Sequence, residues 1–138
     1  MLGYGLVGLN LLKGLARNNT VAFWPLPGLD AVEAHPDNHK LINETYRNRV
    51  NFDVKAPSVR HWHQFDLFQH IGHGPHVGST VFELDRFNEI EKTSLKSQDA
   101  LCVPTEWAKE ILLRNNIELP TLVLPHGVDR TIFHEDVS

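Results

Sequence analysis

The chain has 138 residues, with 13 Lys and Arg against 17 Asp and Glu, a formal net charge of −4 with His neutral. Its 41% hydrophobic and 22% charged residues suit one globular domain and exclude wholesale disorder, and the acidic balance argues against a nonspecific nucleic-acid binder. The single cysteine, Cys102, excludes an internal disulfide framework, and no apolar run reaches the ~18–20 residues of a membrane span, so a reducing, cytoplasmic setting is expected.

The first predicted element is a helix over residues 6–17, with Leu6, Leu9, Leu12 and Leu15 at helical spacing and Asn10, Lys13 and Arg17 opposite. Thr20–Trp24 reads as a short buried strand broken by Pro25-Leu26-Pro27-Gly28, and residues 29–37 as a loop or turn. A polar helix over His39–Val50 carries Leu41, Ile42 and Tyr46 inward. Val59–His63 reads as a strand. A short piece over Phe65–Phe68 then precedes the loop Gly72-His73-Gly74-Pro75, and Val77–Phe82 is a further strand. Arg86–Lys96 follows as a helix with Phe87, Ile90 and Leu95 inward and Glu89, Glu91 and Lys92 outward. Ala100–Val103 is all apolar, the pattern of a strand covered on both faces. Thr105 is placed to cap a helix that buries Trp107, Ile111 and Leu112, with Glu106 in its first turn favoured by the helix dipole. Thr121–Leu124 is the last strand. Short apolar strands alternating with helices predict an α/β domain: a Rossmann-like parallel sheet with helices on both faces, one domain over residues 1–138.

Two groups of residues carry candidate chemistry. Residues 3–8 match G-x-G-x-x-G, whose glycines let the backbone approach a phosphate at a helix N-terminus. The usual context of that motif is a preceding strand, with an acidic residue about 20 positions on for a ribose. Here only Met1-Leu2 precede it, and the next apolar run ends Phe23-Trp24-Pro25, so a dinucleotide site is disfavoured. A tight turn for packing, or a phosphate or sugar contact of another kind, stays open. The second group is His61, His63, His70, His73 and His76. His61 and His63 on a strand would share one side, as zinc ligands do, with Glu83 and Asp85 available as carboxylates. The plainer reading leaves His73 and His76 solvated in a loop and places His63 alone in a cleft at the C-terminal end of a parallel strand. Trp62 alternates with these histidines and should point into the core. Tyr4 is the aromatic expected at the surface.

The last third carries a longer pattern. Phe82-Glu83-Leu84-Asp85 leads to Gln98-Asp99-Ala100-Leu101-Cys102-Val103-Pro104-Thr105-Glu106-Trp107. Leu122-Val123-Leu124-Pro125-His126-Gly127-Val128-Asp129 follows, with Phe133 four residues on. This resembles the retaining, GT-B-fold glycosyltransferases of the family 4-like group. The Gly3-Tyr4-Gly5 opening and the Trp62-His63-Gln64-Phe65 run look like that family's first glycine loop and its histidine-bearing strand end, so the likeness extends from Gly3 to Phe133.

The resemblance implies the N-terminal, acceptor-side domain of a two-domain enzyme. A nucleotide-sugar donor would bind mainly to a C-terminal domain, and a saccharide or other hydroxyl acceptor would be the partner on this side. Gly3, Tyr4 and Gly5 would lie beside the donor diphosphate or the transferred sugar, and Gln64, His126, Gly127 and Asp129 would line the cleft. His63 and Glu83 are the candidate catalytic residues, Glu83 standing where the family often has histidine. The family's first strand has no counterpart before Gly3, and its donor-side domain has none after Phe133. The chain alone is therefore expected not to transfer sugar, and its open sheet is expected to favour an assembly of copies. No cofactor and no metal are expected. The competing readings are a metal-assisted hydrolase built on the histidines and a non-enzymatic α/β module that binds phosphorylated ligands or a protein.

Overall fold

The computed structural model describes residues 3–26, 36–128 and 130. Helix α1 runs Gly3–Ala16 and helix α2 Pro36–Arg47, followed by a 3₁₀ turn, Asn48–Asn51. Then come β1 (Ser58–His61), β2 (His76–Ser79), α3 (Glu89–Lys96), β3 (Ala100–Val103), α4 (Glu106–Arg114) and β4 (Thr121–Val123). The four strands form one parallel sheet in the order β1-β2-β3-β4. The domain is α/β, a parallel sheet flanked by helices, consistent with a Rossmann-like fold.

The register assigns the sheet's two faces. Gly78 pairs with Leu101, and Val103 with Val123, so these side chains share one face. There the core forms: Leu67, Phe82, Phe87, Leu95 of α3, Leu101, Val103, and Ala108, Ile111 and Leu112 of α4, closed by Ile117. Trp62 packs against it, as its alternation with the histidines predicts. A glycine is needed at position 78, because a Cβ would stand 2.9 Å from Leu67 Cδ1 and 3.0 Å from Leu101 Cδ2. The second face carries Val59, Val77, Ala100, Cys102 and Leu122. Helix α1 approaches it at the β1 side, where a Cβ on Gly8 would lie 3.8 Å from His61 Cδ2. Val59 of β1 and Leu122 of β4 are exposed on this face, and an apolar groove of about 410 Å³ is lined by Val77, Ala100, Cys102, Pro120 and Leu122. In β3, then, Leu101 and Val103 are buried while Ala100 and Cys102 are half-buried, an asymmetry that the all-apolar run does not encode.

Several elements differ from expectation for local reasons. Thr20–Trp24 is not a strand. Its partners belong to helix α2 and the 3₁₀ turn: Phe23 N–H donates to Thr45 O at 3.0 Å, Asn48 Nδ2 donates to Val21 O at 2.8 Å, and Trp24 packs edge-on against Phe52. These bonds tie the run to α2 and the 3₁₀ turn, not to a strand. The strands 59–63 and 77–82 are shorter and begin one residue earlier, and the last ends at Val123. Phe65–Phe68 forms a turn followed by irregular backbone, with Leu67 as its buried anchor between exposed Phe65 and Phe68.

The helix expected from Arg86 starts at Glu89. Asn88 caps it by accepting from Glu91 N–H at 2.9 Å, while Glu91 Oε2 accepts from Asn88 N–H at 2.8 Å. This reciprocal box fixes the helical phase, so Glu91 is buried and Ile90 is 66% exposed, the reverse of the expected faces. In α2, Thr45 is the buried position and Tyr46 lies out, under the Arg49 guanidinium. Thr105 caps α4 as predicted, accepting from Ala108 N–H at 3.1 Å, but Trp107 remains 46% exposed. The loop expected over 29–37 falls mostly outside the described residues.

Candidate functional site

Parallel strands end together, and the C-terminal edge of such a sheet is where loops gather side chains. Here α1 brings Tyr4 to that edge. Its phenol donates to Val81 O at 2.7 Å, just past β2. Its ring lies 5.2 Å from His61, 5.5 Å from Trp62 and 4.5 Å from His63. His63 in turn stacks on Phe65 at 5.1 Å with the rings nearly parallel. The result is a half-buried wall of aromatic rings and imidazoles, with exposed Phe65 at its outer end.

His61 closes β1 and pairs in register with Ser79, and its Nδ1 is 3.0 Å from Ser79 Oγ. Its Nε2 is buried with no hydrogen-bond partner. Loss of hydration lowers the His61 pKa, the nearby His126 lowers it further, and a backbone hydrogen bond at Ser79 partly opposes both. The ring is therefore neutral at pH 7, a state in which one nitrogen can accept a proton. The effect of His126 reflects the proximity of that residue, in the β4 exit loop, to the β1 end.

The predicted site residues divide. Tyr4, His63 and His126 belong to this edge. Gly3 and Gly5 do not form a loop: the helix begins at Gly3, so the glycine motif occupies its first two turns. The leucine periodicity extends the helix back through the motif, and space around Gly3 is open, so no close backbone approach requires a glycine there. Tyr4 is held, not free, which corrects the expected exposed aromatic.

Gln64 is not a cleft residue. It is buried, and its Nε2 donates to Glu91 Oε1 at 2.9 Å, tying the chain after β1 to helix α3. Glu83 is exposed, two residues beyond the carbonyl that Tyr4 binds. Gly127 is exposed with open space around it. Asp129 lies outside the described residues.

The histidines separate to opposite ends of the sheet. His76 opens β2, where its Nδ1 is 2.8 Å from Ser58 Oγ and its ring stacks on His70 at 3.9 Å. It is half-buried and hydrogen-bonded, not solvated in a loop as expected. His73 is exposed, with its N–H donating to Val54 O. Among the described residues no group of three or more His, Cys, Asp or Glu side chains could hold a metal ion. The hydrolase reading drew on five histidines as one cluster, and the sheet sets His61 and His63 at one end and His70, His73 and His76 at the other.

Sequence reasoning passed over His61 and Ser79 as a pair. Each is a strand-end polar residue, but only the β1–β2 register brings them face to face. No known family model matches the chain, and no curated protein or solved structure is detectably similar to it. Among the described residues no helix is long and apolar enough to cross a membrane.

Proposed function

We propose that this chain is the acceptor-side domain of a retaining glycosyltransferase, in which the C-terminal edge of the sheet holds the hydroxyl acceptor. The observation that carries the reading is the wall of Tyr4, His61, Trp62, His63 and Phe65 at that edge, with the His126 loop at the same end. Flat ring faces suit the C–H surfaces of a sugar, and imidazoles and a carboxylate suit its hydroxyls. Phe65 offers the open ring face. His63 is fixed between Tyr4 and Phe65, so its ring is oriented before an acceptor arrives, which limits the ordering cost on binding. Exposed Glu83 is available to accept a hydrogen bond from an acceptor hydroxyl. Charge stabilisation of a leaving diphosphate needs cationic groups that this wall does not supply, so donor binding and turnover belong to a separate donor-side domain.

The test is a titration of the isotope-labelled chain with a panel of mono- and oligosaccharides and, separately, with nucleotide sugars, followed by NMR. A saccharide should shift the ring signals of Tyr4, His63 and Phe65, and nucleotide sugars alone should produce no turnover. Saccharides that leave these signals unmoved at millimolar concentration, or sugar transfer by the chain alone, would overturn the reading.

A further inference from the structure

The connection from β1 to β2 leaves the candidate site and crosses to the opposite end of the sheet. It is fastened to helix α3 and the turn that follows it by buried polar side chains. Gln64 reaches Glu91, Leu67 N–H donates to Ser94 Oγ at 2.7 Å, and Gln98 Nε2 donates to Leu67 O at 2.9 Å. Leu67 and Ser94 are fully buried and Gln98 is 4% exposed. The amide of Gln98 thus holds the main chain of the connection at its innermost point.

The same amide nitrogen stands 3.0 Å from His70 Nε2 and 2.8 Å from Ser97 Oγ, and Gln98 Oε1 has no partner. An amide nitrogen only donates, and the hydrogen left over from Leu67 O is shared among Ser97 Oγ, His70 Nε2 and Ser94 O at 3.5 Å, so His70 Nε2 meets it without conflict only when it presents its lone pair. Protonation of that nitrogen would set two donors against each other. Turning the amide over would cure this clash but would set Gln98 Oε1 against Leu67 O, two acceptors. His70 is an exposed ring stacked on His76, and while it stays there a charged His70 competes with the Gln98–Leu67 bond.

His76 is placed differently. Its Nδ1 faces a serine hydroxyl, which donates or accepts as required, so its own bond survives titration. Its ring, stacked at 3.9 Å, adds charge repulsion once both imidazoles are protonated. The other charged groups facing His70 are Asp99, in the turn before β3, and Arg60 of β1, which is paired with Asp66 at 3.1 Å.

We propose that His70 and Gln98 form a pH-sensitive latch: neutral His70 permits Gln98 to hold Leu67, and protonation at Nε2 from solvent releases the connection. The direction agrees with the surroundings. Partial loss of hydration and then His76 lower the His70 pKa, Arg60 lowers it slightly more, and Asp99 opposes them. A histidine whose folded pKa is lowered contributes stability that is complete above the ordinary value of about 6.5 and is lost as pH falls through the folded value. Because this connection begins with His63, Gln64 and Phe65, acidification loosens the wall of the candidate site from behind. The latch rests on hydrogen-bond chemistry alone and stands whether or not the glycosyltransferase reading does.

The experiment follows His70 by NMR titration and measures amide hydrogen exchange at Leu67, His70 and His73 between pH 7.5 and 5. Protection is normalised to intrinsic rates and referenced to Leu101 in β3. In the unmodified chain His70 should titrate below about 6.5, and protection of the three amides should fall relative to Leu101 by up to tenfold per pH unit, the limit for one linked proton. His70→Phe keeps a ring against His76 and should remove that relative fall. Titration of His70 at or above 6.5, or an undiminished relative fall in His70→Phe, would overturn the latch. Should that variant not fold, the titration and exchange of the unmodified chain decide the matter.

Discussion

The chain before β1 and the chain after it are built on different principles. Among the described residues up to 57, only Leu12 and Thr45 are buried. From β1 onward, one face of the sheet, α3 and α4 share a continuous core in which Leu67, Leu95 and Leu101 are fully buried and no member exceeds 7% exposure. Helix α1 is attached through few contacts, mainly Tyr4 on Val81 and the rings of His61 and His63, with Gly8 beside His61. A parallel sheet with one well-packed face can carry a loosely held helix on the other, and here that helix supplies part of the candidate site. The loosely packed element thus contributes to the candidate site, and the well-packed layer lies behind it.

This contrast can be broken most severely at Leu101, which is fully buried in the middle of the sheet. Leu101→Ala should cost about 2–5 kcal/mol in urea unfolding, and Leu12→Ala in α1 should sit at or below the low end of that range. Equal losses at the two positions would show that both regions form one equally packed unit. Next comes Gly78→Ala, where the new Cβ would crowd Leu67, Gln98 and Leu101. We expect a loss of about 1–3 kcal/mol, read from the same unfolding curves.

Tyr4→Phe keeps the ring but deletes the phenol donor to Val81. About 0.5–1.5 kcal/mol should be lost, and the α1 amides should exchange faster while those of β3 do not change. The finest probe is acid. The lowered His61 pKa means that the folded chain binds fewer protons than the unfolded chain as pH falls below about 6.5. The urea midpoint should therefore drop between pH 7 and 5, and His61→Gln should flatten that part of the profile. A midpoint that rises on acidification would contradict the assigned sign.

Legibility in the sequence followed the locality of the cause. The β3 strand and the Thr105 cap were readable because an all-apolar run and a capping threonine act within a few residues. The run Val21-Ala22-Phe23-Trp24 looks equally strand-like, yet a strand exists only where a neighbour pairs with it, and this segment's hydrogen bonds go to α2 and the 3₁₀ turn. The start of α3 was misplaced because apolar spacing from Phe87 to Leu95 outweighed the Asn88–Glu91 box, which was itself legible as N-x-x-E. At the candidate site, His63 and His126 could be named from strand-end positions, and Tyr4 from its place in the glycine motif. Gln64 could not, since its role depends on Glu91, 27 residues away. Nor could the His61–Ser79 pair, which the strand register alone creates.

The sheet's order has a consequence for how the molecule is assembled in time. Neighbouring strands are also consecutive in the chain, paired across 18 positions from Ser58 to His76, 23 from Val77 to Ala100 and 20 from Leu101 to Thr121. Parallel sheets whose order is shuffled must close long loops before any pairing is rewarded. Here each closure is short and of nearly equal length, so its entropic cost hardly varies from one strand to the next. The sheet can grow by one strand at a time in the direction in which the chain leaves the ribosome, each new strand docking on an edge already in place, a route that keeps contact order low for an all-parallel architecture.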